Sequence, residues 1–370
     1  MAIVAAFLSF IVTVVFMFAL RPVAIAVGLV DIPGGRKRHD GPVPIIGGIA
    51  MGIGLGFGTS LIEHPDFWNP TLFGVYLLVM VGFIDDRFDL PANVRLIAQS
   101  CAALLVVLAS NIIVSSLGEP LFFRVDLGAL SLIFTVLFVI TLVNAFNIID
   151  GIDGLAGGLA LLSLVAMAIL GVGTTAFALV SVAVAVVAAY LLFNLPLGFN
   201  RPVRAFMGDA GSTPLGLIIA AVGVHLSQDP VARISPSIGL WLVAVPVFDL
   251  FSTILRRVAE GKSPLAPDHE HLHHVLVEHG LSRPATLVCM LSLASVFAGI
   301  GVVADMVSAP DGVMLILWFL GGALYYQMMR QPNMVVAFVR AIWPAEPVSA
   351  QVPSSKANQG VVPPQRRKGD

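Results

Sequence analysis

Long apolar runs constrain this chain more than any other feature. From the second residue onward, stretches of about 20 predominantly apolar residues recur, the length that crosses a bilayer as a helix. They place about eleven spans, near residues 3–28, 45–62, 70–84, 94–115, 129–146, 155–172, 175–194, 212–227, 237–255, 285–307 and 311–328. The runs are unbroken, whereas barrel strands would alternate over about ten residues. The expected fold class is therefore an all-α polytopic membrane protein. Composition agrees, because a soluble domain that is 58% hydrophobic and 11% charged could not cover its surface. Net charge is close to neutral and no basic domain suggests nucleic acid. Cys101 and Cys289 lie inside apolar runs and indicate no disulfide framework. The first run has no basic leader and no small-residue cleavage site, so it reads as a retained span rather than a signal peptide.

Eleven spans make the connections alternate between two faces. One face receives Arg21, Arg36, Lys37, Arg38, Arg87, Arg95, Arg201, Arg204, Arg256, Arg257, Lys262 and Arg283, while the other receives Arg124 and Arg233. The excess of positive charge marks the first face as cytoplasmic. The N-terminus is then outside and the C-terminus cytoplasmic. Residues 1–330 form the expected membrane domain. Residues 331–370 form a cytoplasmic tail, which is expected to be disordered from about 344 because it is rich in Pro, Ser and Gln. The external loop 116–128 suggests a small hairpin.

The most polar stretches all fall on the face read as cytoplasmic. They are GRKRHDGPVP (35–44), DDRFDL (85–90), NAFNIIDGIDG (144–154), NRPVRAFMGDAGS (200–212) and SPLAPDHEHLHH (263–274). Asp85, Asp86 and Asp89 would share one helix face, and such close carboxylates attract a proton or a hard cation such as Mg²⁺ or Mn²⁺. A solvated acidic turn is the plainer alternative. Asn144, Asn147, Asp150 and Asp153 recur every third residue, and Gly151 and Gly154 predict an early helix end whose exposed amides can approach a phosphate. Asp209, between glycines just ahead of a span, suits an N-cap or a metal ligand equally. His269, His271, His273 and His274 cluster with acids. They suit zinc, a pyrophosphate contact or a solvated loop, and no cysteine supports a structural zinc site.

Together, DDRFDL, NxxNxxDGIDGLAGG and FMGDAGS resemble the polyprenyl-phosphate N-acetylhexosamine-1-phosphate transferase family, over about residues 20–280. The loop DHEHLHH looks like the His-x-His-His form of the GlcNAc-1-phosphate branch. The muramoyl branch instead has three consecutive histidines followed by Phe-Glu. The stretch RKRHDGPVPIIGG also looks like the GlcNAc branch. The resemblance implies an Mg-dependent phosphoglycosyltransferase (Mn²⁺ as substitute) in a bacterial inner membrane. Such an enzyme moves GlcNAc-1-phosphate from UDP-GlcNAc to undecaprenyl phosphate at the cytoplasmic face. It implies Asp85, Asp86, Asp150 and Asp153 as catalytic acids and Asp209 and Asp86 as the Mg²⁺ ligands. Asn147, Asn194 (or the nearby Asn200), His271, His273, His274, Lys37 and Arg38 are the implied substrate contacts. The same resemblance points to membrane lipids and a homodimer as further partners.

Direct displacement and a covalent phospho-aspartate route both stay open. So do another UDP-N-acetylhexosamine as donor and, more remotely, a UbiA-like prenyltransferase or an ion-coupled transporter. The prenyltransferase would predict two DxxxD-type motifs. The transporter would predict mid-membrane acids and a two-fold repeat, which the sequence lacks.

Overall fold

The computed structural model of the protein describes residues 1–31, 41–120, 123–196, 205–229, 234–263 and 271–342. Lys37, Arg38, His269, Asn200 and the tail from Trp343 onward lie outside these residues.

The chain is helical almost throughout, as its apolar runs require. Helix α1 (Ala2–Val27) stops where Gly28 turns left-handed (φ 73°) and its amide closes on the carbonyls of Ala24 and Ile25. Two short strands follow, β1 (Val30–Asp31) and β2 (Val43–Pro44), antiparallel with Val30 opposite Pro44. After them come α2 (Gly47–Thr59), α3 (Trp68–Phe88), α4 (Ala92–Ser110), α5 (Ser131–Ile148), α6 (Leu155–Leu170), α7 (Phe177–Asn194) and α8 (Asp209–Gln228). The remaining helices are α9 (Pro236–Leu242), α10 (Ala244–Ala259), α11 (Leu272–Glu278), α12 (Arg283–Met306), α13 (Asp311–Arg330) and α14 (Pro332–Ile342). In the loop 116–128, Ser116 bridges Asp126 antiparallel, so the expected hairpin forms in outline.

Among the described residues, seven helices are long and apolar enough to cross a membrane, or eight if α9 and α10 form one bent span. This is fewer than the eleven expected spans, for physical reasons. The spans expected at 45–62 and 155–172 are helices of only 13 and 16 residues. At about 1.5 Å per residue they fall short of a hydrocarbon core of about 30 Å. Helix α2 starts two residues late and ends three early, whereas α6 begins at Leu155 as expected and stops two residues early, where Gly171 caps it. The span expected at 237–255 breaks at Val243 with an 84° bend. Pro246 has no N–H to give the carbonyl of Leu242. The hydroxyl of Ser163 on α6 donates to that carbonyl instead, at 2.7 Å. A backbone break inside a membrane protein is tolerated when a neighbour supplies the missing bond in this way.

Helix α8 is the axis of the bundle. Its most apolar stretch is 83% buried, against 22% for α1 and 28% for α4 and α13. It packs against α2, α3, α5 and α6. Close approach depends on small residues, as in other membrane helix pairs. At Gly82 of α3, a Cβ would collide with the backbone of Asp209 and Ala210. The outer helices leave apolar side chains exposed, such as Phe7, Ile11, Val15 and Phe18 along one stripe of α1. That spacing gives a lipid-facing surface. Both cysteines are free. Helix α14 lies in the segment expected to be tail, and it packs on α11 and α13.

Candidate active site

Four separate stretches of sequence meet at one end of the bundle. The first is the end of α3. Leu90 precedes Pro91, and a residue before proline is pushed out of helical conformation. The helix therefore closes at Asp89, which turns left-handed (φ 53°) as its amide returns to the carbonyl of Asp85. Asp89 thus leaves the helix face that it was expected to share with Asp85 and Asp86. Asp85 is buried. It accepts the amide of Leu90 at 2.7 Å and the guanidinium of Arg95 on α4 at 3.1 Å.

Asp86 points across to α8. Its Oδ1 accepts the amide of Asp209 at 2.9 Å and its Oδ2 the amide of Ala210 at 3.2 Å. These are unpaired first-turn N–H groups at the positive end of the helix dipole, and an anion there is favourable. The residue before them, Gly208, has φ 67° and is the N-cap by position. A side chain at 208 would collide with the Asp86 carboxylate. Asp209 is therefore the first helical residue, and its cap comes from α3. Its own carboxylate accepts Nδ2 of Asn147 at 2.8 Å and faces Arg95 at 3.4 Å.

The third stretch follows α5, which ends at Ile148 as the glycines predict. Asn144 stays local, donating to the carbonyl of Ile140 at 2.9 Å. Asn147, Asp150 and Asp153 instead line one cavity of about 310 Å³, together with Asn194, Asp209 and Arg283. Asn194 ties this loop down. Its oxygen accepts the amide of Gly154 at 2.6 Å and its nitrogen donates to the carbonyl of Ala205 at 3.0 Å. It is buried and joins the acidic loop to the segment leading into Asp209. Burial, then the charges of Asp86 and Asp153, push the Asp150 carboxyl up to about 7. Asp31 and Ile45, at the ends of the segment that holds Lys37 and Arg38, also line the cavity.

The fourth stretch is the histidine cluster at the start of α11. His271 and His273 are buried. Their rings stack with centroids 5.8 Å apart, and His274 lies 4.1 Å from His273. The ring of His273 rests on the backbone of Gly151, so the cluster adjoins the acidic loop. Burial, then the neighbouring His274, push the His273 imidazole down to about 3, which leaves it neutral at ordinary pH. Neither of its nitrogens has a hydrogen-bond partner among the described residues.

The site also uses residues that the motifs did not announce. Arg95 spans Asp85 and Asp209. Arg283 lines the cavity, and Asp249 of α10 accepts a hydrogen bond from His271. A lone acid inside an apolar run is a signal in its own right, and Asp249 carries it.

Among the described residues, no three His, Cys, Asp or Glu side chains form a ready metal cluster. The donor chemistry still fits Mg²⁺. The cavity offers the carboxylates of Asp150, Asp153 and Asp209 as hard oxygens, and Mg²⁺ commonly takes one or two carboxylates and completes its shell with water and substrate phosphates.

A family profile described as Glycosyl transferase family 4 matches residues 68–227, from the start of α3 to the end of α8. The undecaprenyl-phosphate α-N-acetylglucosaminyl 1-phosphate transferase of Salmonella typhi is 35% identical over 345 residues, covering 90% of this chain and 92% of its own. The protein of that name from Escherichia coli K12 is 34% identical over 343 residues, with the same coverage of both chains. The one from Haemophilus influenzae is 35% identical over 340 residues, covering 90% of this chain and 96% of its own. With identity of 34–35% spanning about 90% of its length, the chain belongs to the polyprenyl-phosphate GlcNAc-1-phosphate transferases of glycosyl transferase family 4.

Proposed function

We propose that this protein transfers GlcNAc-1-phosphate from UDP-GlcNAc to undecaprenyl phosphate in a bacterial inner membrane. The products are undecaprenyl-diphosphate-GlcNAc and UMP. The observation that carries the reading is the convergence of Asp86, Asn147 and Asp209, linked by hydrogen bonds, on a cavity that Asp150 and Asp153 also line. The relatives' shared activity supports the same substrates.

An oxygen of the lipid phosphate attacks the phosphorus bonded to the sugar. The bond to the bridging oxygen breaks, and UMP leaves with its electrons. A phosphate monoester has a second pKa of about 6, so the nucleophile is largely dianionic and needs no strong base. Two anions must meet beside carboxylates, so the barrier is mainly electrostatic. Mg²⁺, or Mn²⁺ in its place, would supply the positive charge that offsets this repulsion. Asp209, Asp86 and Asp150 are the residues that would hold it. Asp86 keeps both oxygens on amides and so fixes Asp209, with a lone pair on each left for ligation. Asp85 holds Arg95 against Asp209. Asn147 orients the Asp209 carboxylate, and His271, His273 and His274 meet the donor, His273 as a neutral ring. Lys37 and Arg38 complete the substrate contacts from the segment between β1 and β2.

Helices α2 and α6 are too short to cross as helix alone, and we count each as a span completed by the non-helical residues at its ends; with α3 and the bent α9–α10 pair they bring the seven long helices to eleven spans. The site then faces the cytoplasm, with the N-terminus outside and residues 331–370 as a cytoplasmic tail that begins with α14. Arg87, Arg95, Arg256, Arg257, Lys262 and Arg283 gather at the site's end of the bundle, as the distribution of positive charge requires. A homodimer is part of the same reading.

The test is purified protein with undecaprenyl phosphate, Mg²⁺ and a panel of UDP-sugars, scored for UMP. UDP-GlcNAc is expected to give the highest kcat/KM. Turnover of UDP-MurNAc-pentapeptide alone would reject the assignment.

A further inference from the structure

Asp249 is fully buried in the wall of a membrane helix bundle. A carboxylate there is costly unless donors surround it. Three do, and they come from two other helices and the turn before one of them. Nδ1 of His271 donates to Oδ2 at 2.7 Å. The amide of Leu272, the first residue of α11, donates to Oδ1 at 3.0 Å. The hydroxyl of Tyr325 on α13 donates to the same oxygen at 2.9 Å. Thr253, one turn along α10, lies 3.2 Å from the same His271 nitrogen.

The acceptor decides which nitrogen of His271 carries its proton and which way the ring faces. With Nδ1 committed to Asp249, Nε2 points away from α10. The Leu272 amide bond fixes the start of α11, and with it His273 against Gly151 and His274 beside it. One carboxylate thus sets the position of the whole cluster relative to the acidic loop.

We propose that Asp249 is a positioning residue for the donor site: it acts through His271 and the first amide of α11 to hold the histidine cluster where UDP-GlcNAc binds. This rests on the reading that the histidines meet the donor. Tyr325 supports it by holding the second carboxylate oxygen.

The experiment measures kcat and KM for each substrate in full-length protein in lipid nanodiscs, for wild type, Asp249→Asn, His271→Ala, the double variant and Tyr325→Phe. Asp249→Asn and His271→Ala are each expected to raise the UDP-GlcNAc KM by about 10- to 100-fold, the range for a hydrogen bond to a charged group, with the lipid KM within about twofold. The double variant is expected to be no worse than His271→Ala alone, because one effect runs through the other. Tyr325→Phe should raise the donor KM by about two- to fivefold, and it carries the test if Asp249→Asn does not fold.

Additive losses in the double variant, or losses falling equally on both substrates, would overturn the proposal and leave Asp249 a structural tie. An unchanged donor KM in Tyr325→Phe would also count against it. A donor effect from His271→Ala with none from Asp249→Asn overturns this proposal alone. No donor effect from His271→Ala overturns the underlying reading and this proposal with it.

Discussion

Asp86→Asn probes the joint between α3 and α8 with almost no change of shape. In the native site both carboxylate oxygens accept amides, from Asp209 at 2.9 Å and Ala210 at 3.2 Å. Asparagine keeps one oxygen and turns an NH₂ group toward the other N–H. One charge-assisted bond is lost, about 1.5–3 kcal/mol, and one first-turn amide is left without an acceptor, about 1–3 kcal/mol more before relaxation. A net cost of about 3 kcal/mol acts where α8 begins, so it acts on the position of Asp209. At about 1.4 kcal/mol per decade, that predicts a fall of about 100-fold in kcat. The assay is UMP release at saturating UDP-GlcNAc and undecaprenyl phosphate, with Mg²⁺ titrated in each variant. Asp209→Asn should lose at least as much, and the pair together should be no worse than Asp209→Asn, since Asp86 works through its neighbour. If Asp86→Asn kept more than about half of the wild-type kcat, the amide contacts would not be what holds the site.

Other perturbations follow from the same geometry. Gly82→Ala places a Cβ 2.5 Å from Cα of Ala210, so it should push α3 off α8, lower stability by about 1–3 kcal/mol and reduce activity in the fraction that folds; fluorescence-detected size exclusion with UMP release checks both. Asn194→Ala frees the amide of Gly154 and the carbonyl of Ala205, and it should raise the donor KM by about tenfold or more, read from initial rates across UDP-GlcNAc concentrations. The Asp150 carboxyl, raised to about 7 by burial and by Asp86 and Asp153, is protonated below that pH and ionised above it. Protons then compete with the cation. The Mg²⁺ concentration for half-maximal rate should fall about tenfold from pH 6 to pH 8, and this dependence should flatten in Asp150→Asn.

Local features of this site were readable from the chain, and its long-range joints were not. Gly151 and Gly154 announce the end of α5, and Gly28 announces the end of α1. Asp89 misleads, because helical spacing keeps it on the face of Asp85 until Pro91 forces the chain out of helix. The partnership of Asp86 with the amide of Asp209 joins residues 123 apart, and no local pattern encodes it. Asp209 therefore looks like its own N-cap in sequence, whereas the cap comes from another helix. Pro246 signals the broken span, yet the bond that makes the break tolerable comes from Ser163, far upstream. Asn194 reads as a substrate contact by its motif position, and the structure shows both ends of its amide engaged by backbone. Asp249 was visible as an acid among apolar residues, but its hold on His271 needed the fold.

In the proposed mechanism, carboxylates from distant stretches share one divalent cation with the donor's phosphates. The most direct measurement is anomalous diffraction from crystals grown with Mn²⁺ and UDP-GlcNAc. A single peak is expected in the cavity, within ligand distance of an oxygen of Asp209 and adjoining the donor phosphates. A peak elsewhere, or bound donor in that cavity with saturating Mn²⁺ and no metal at Asp209, would contradict it.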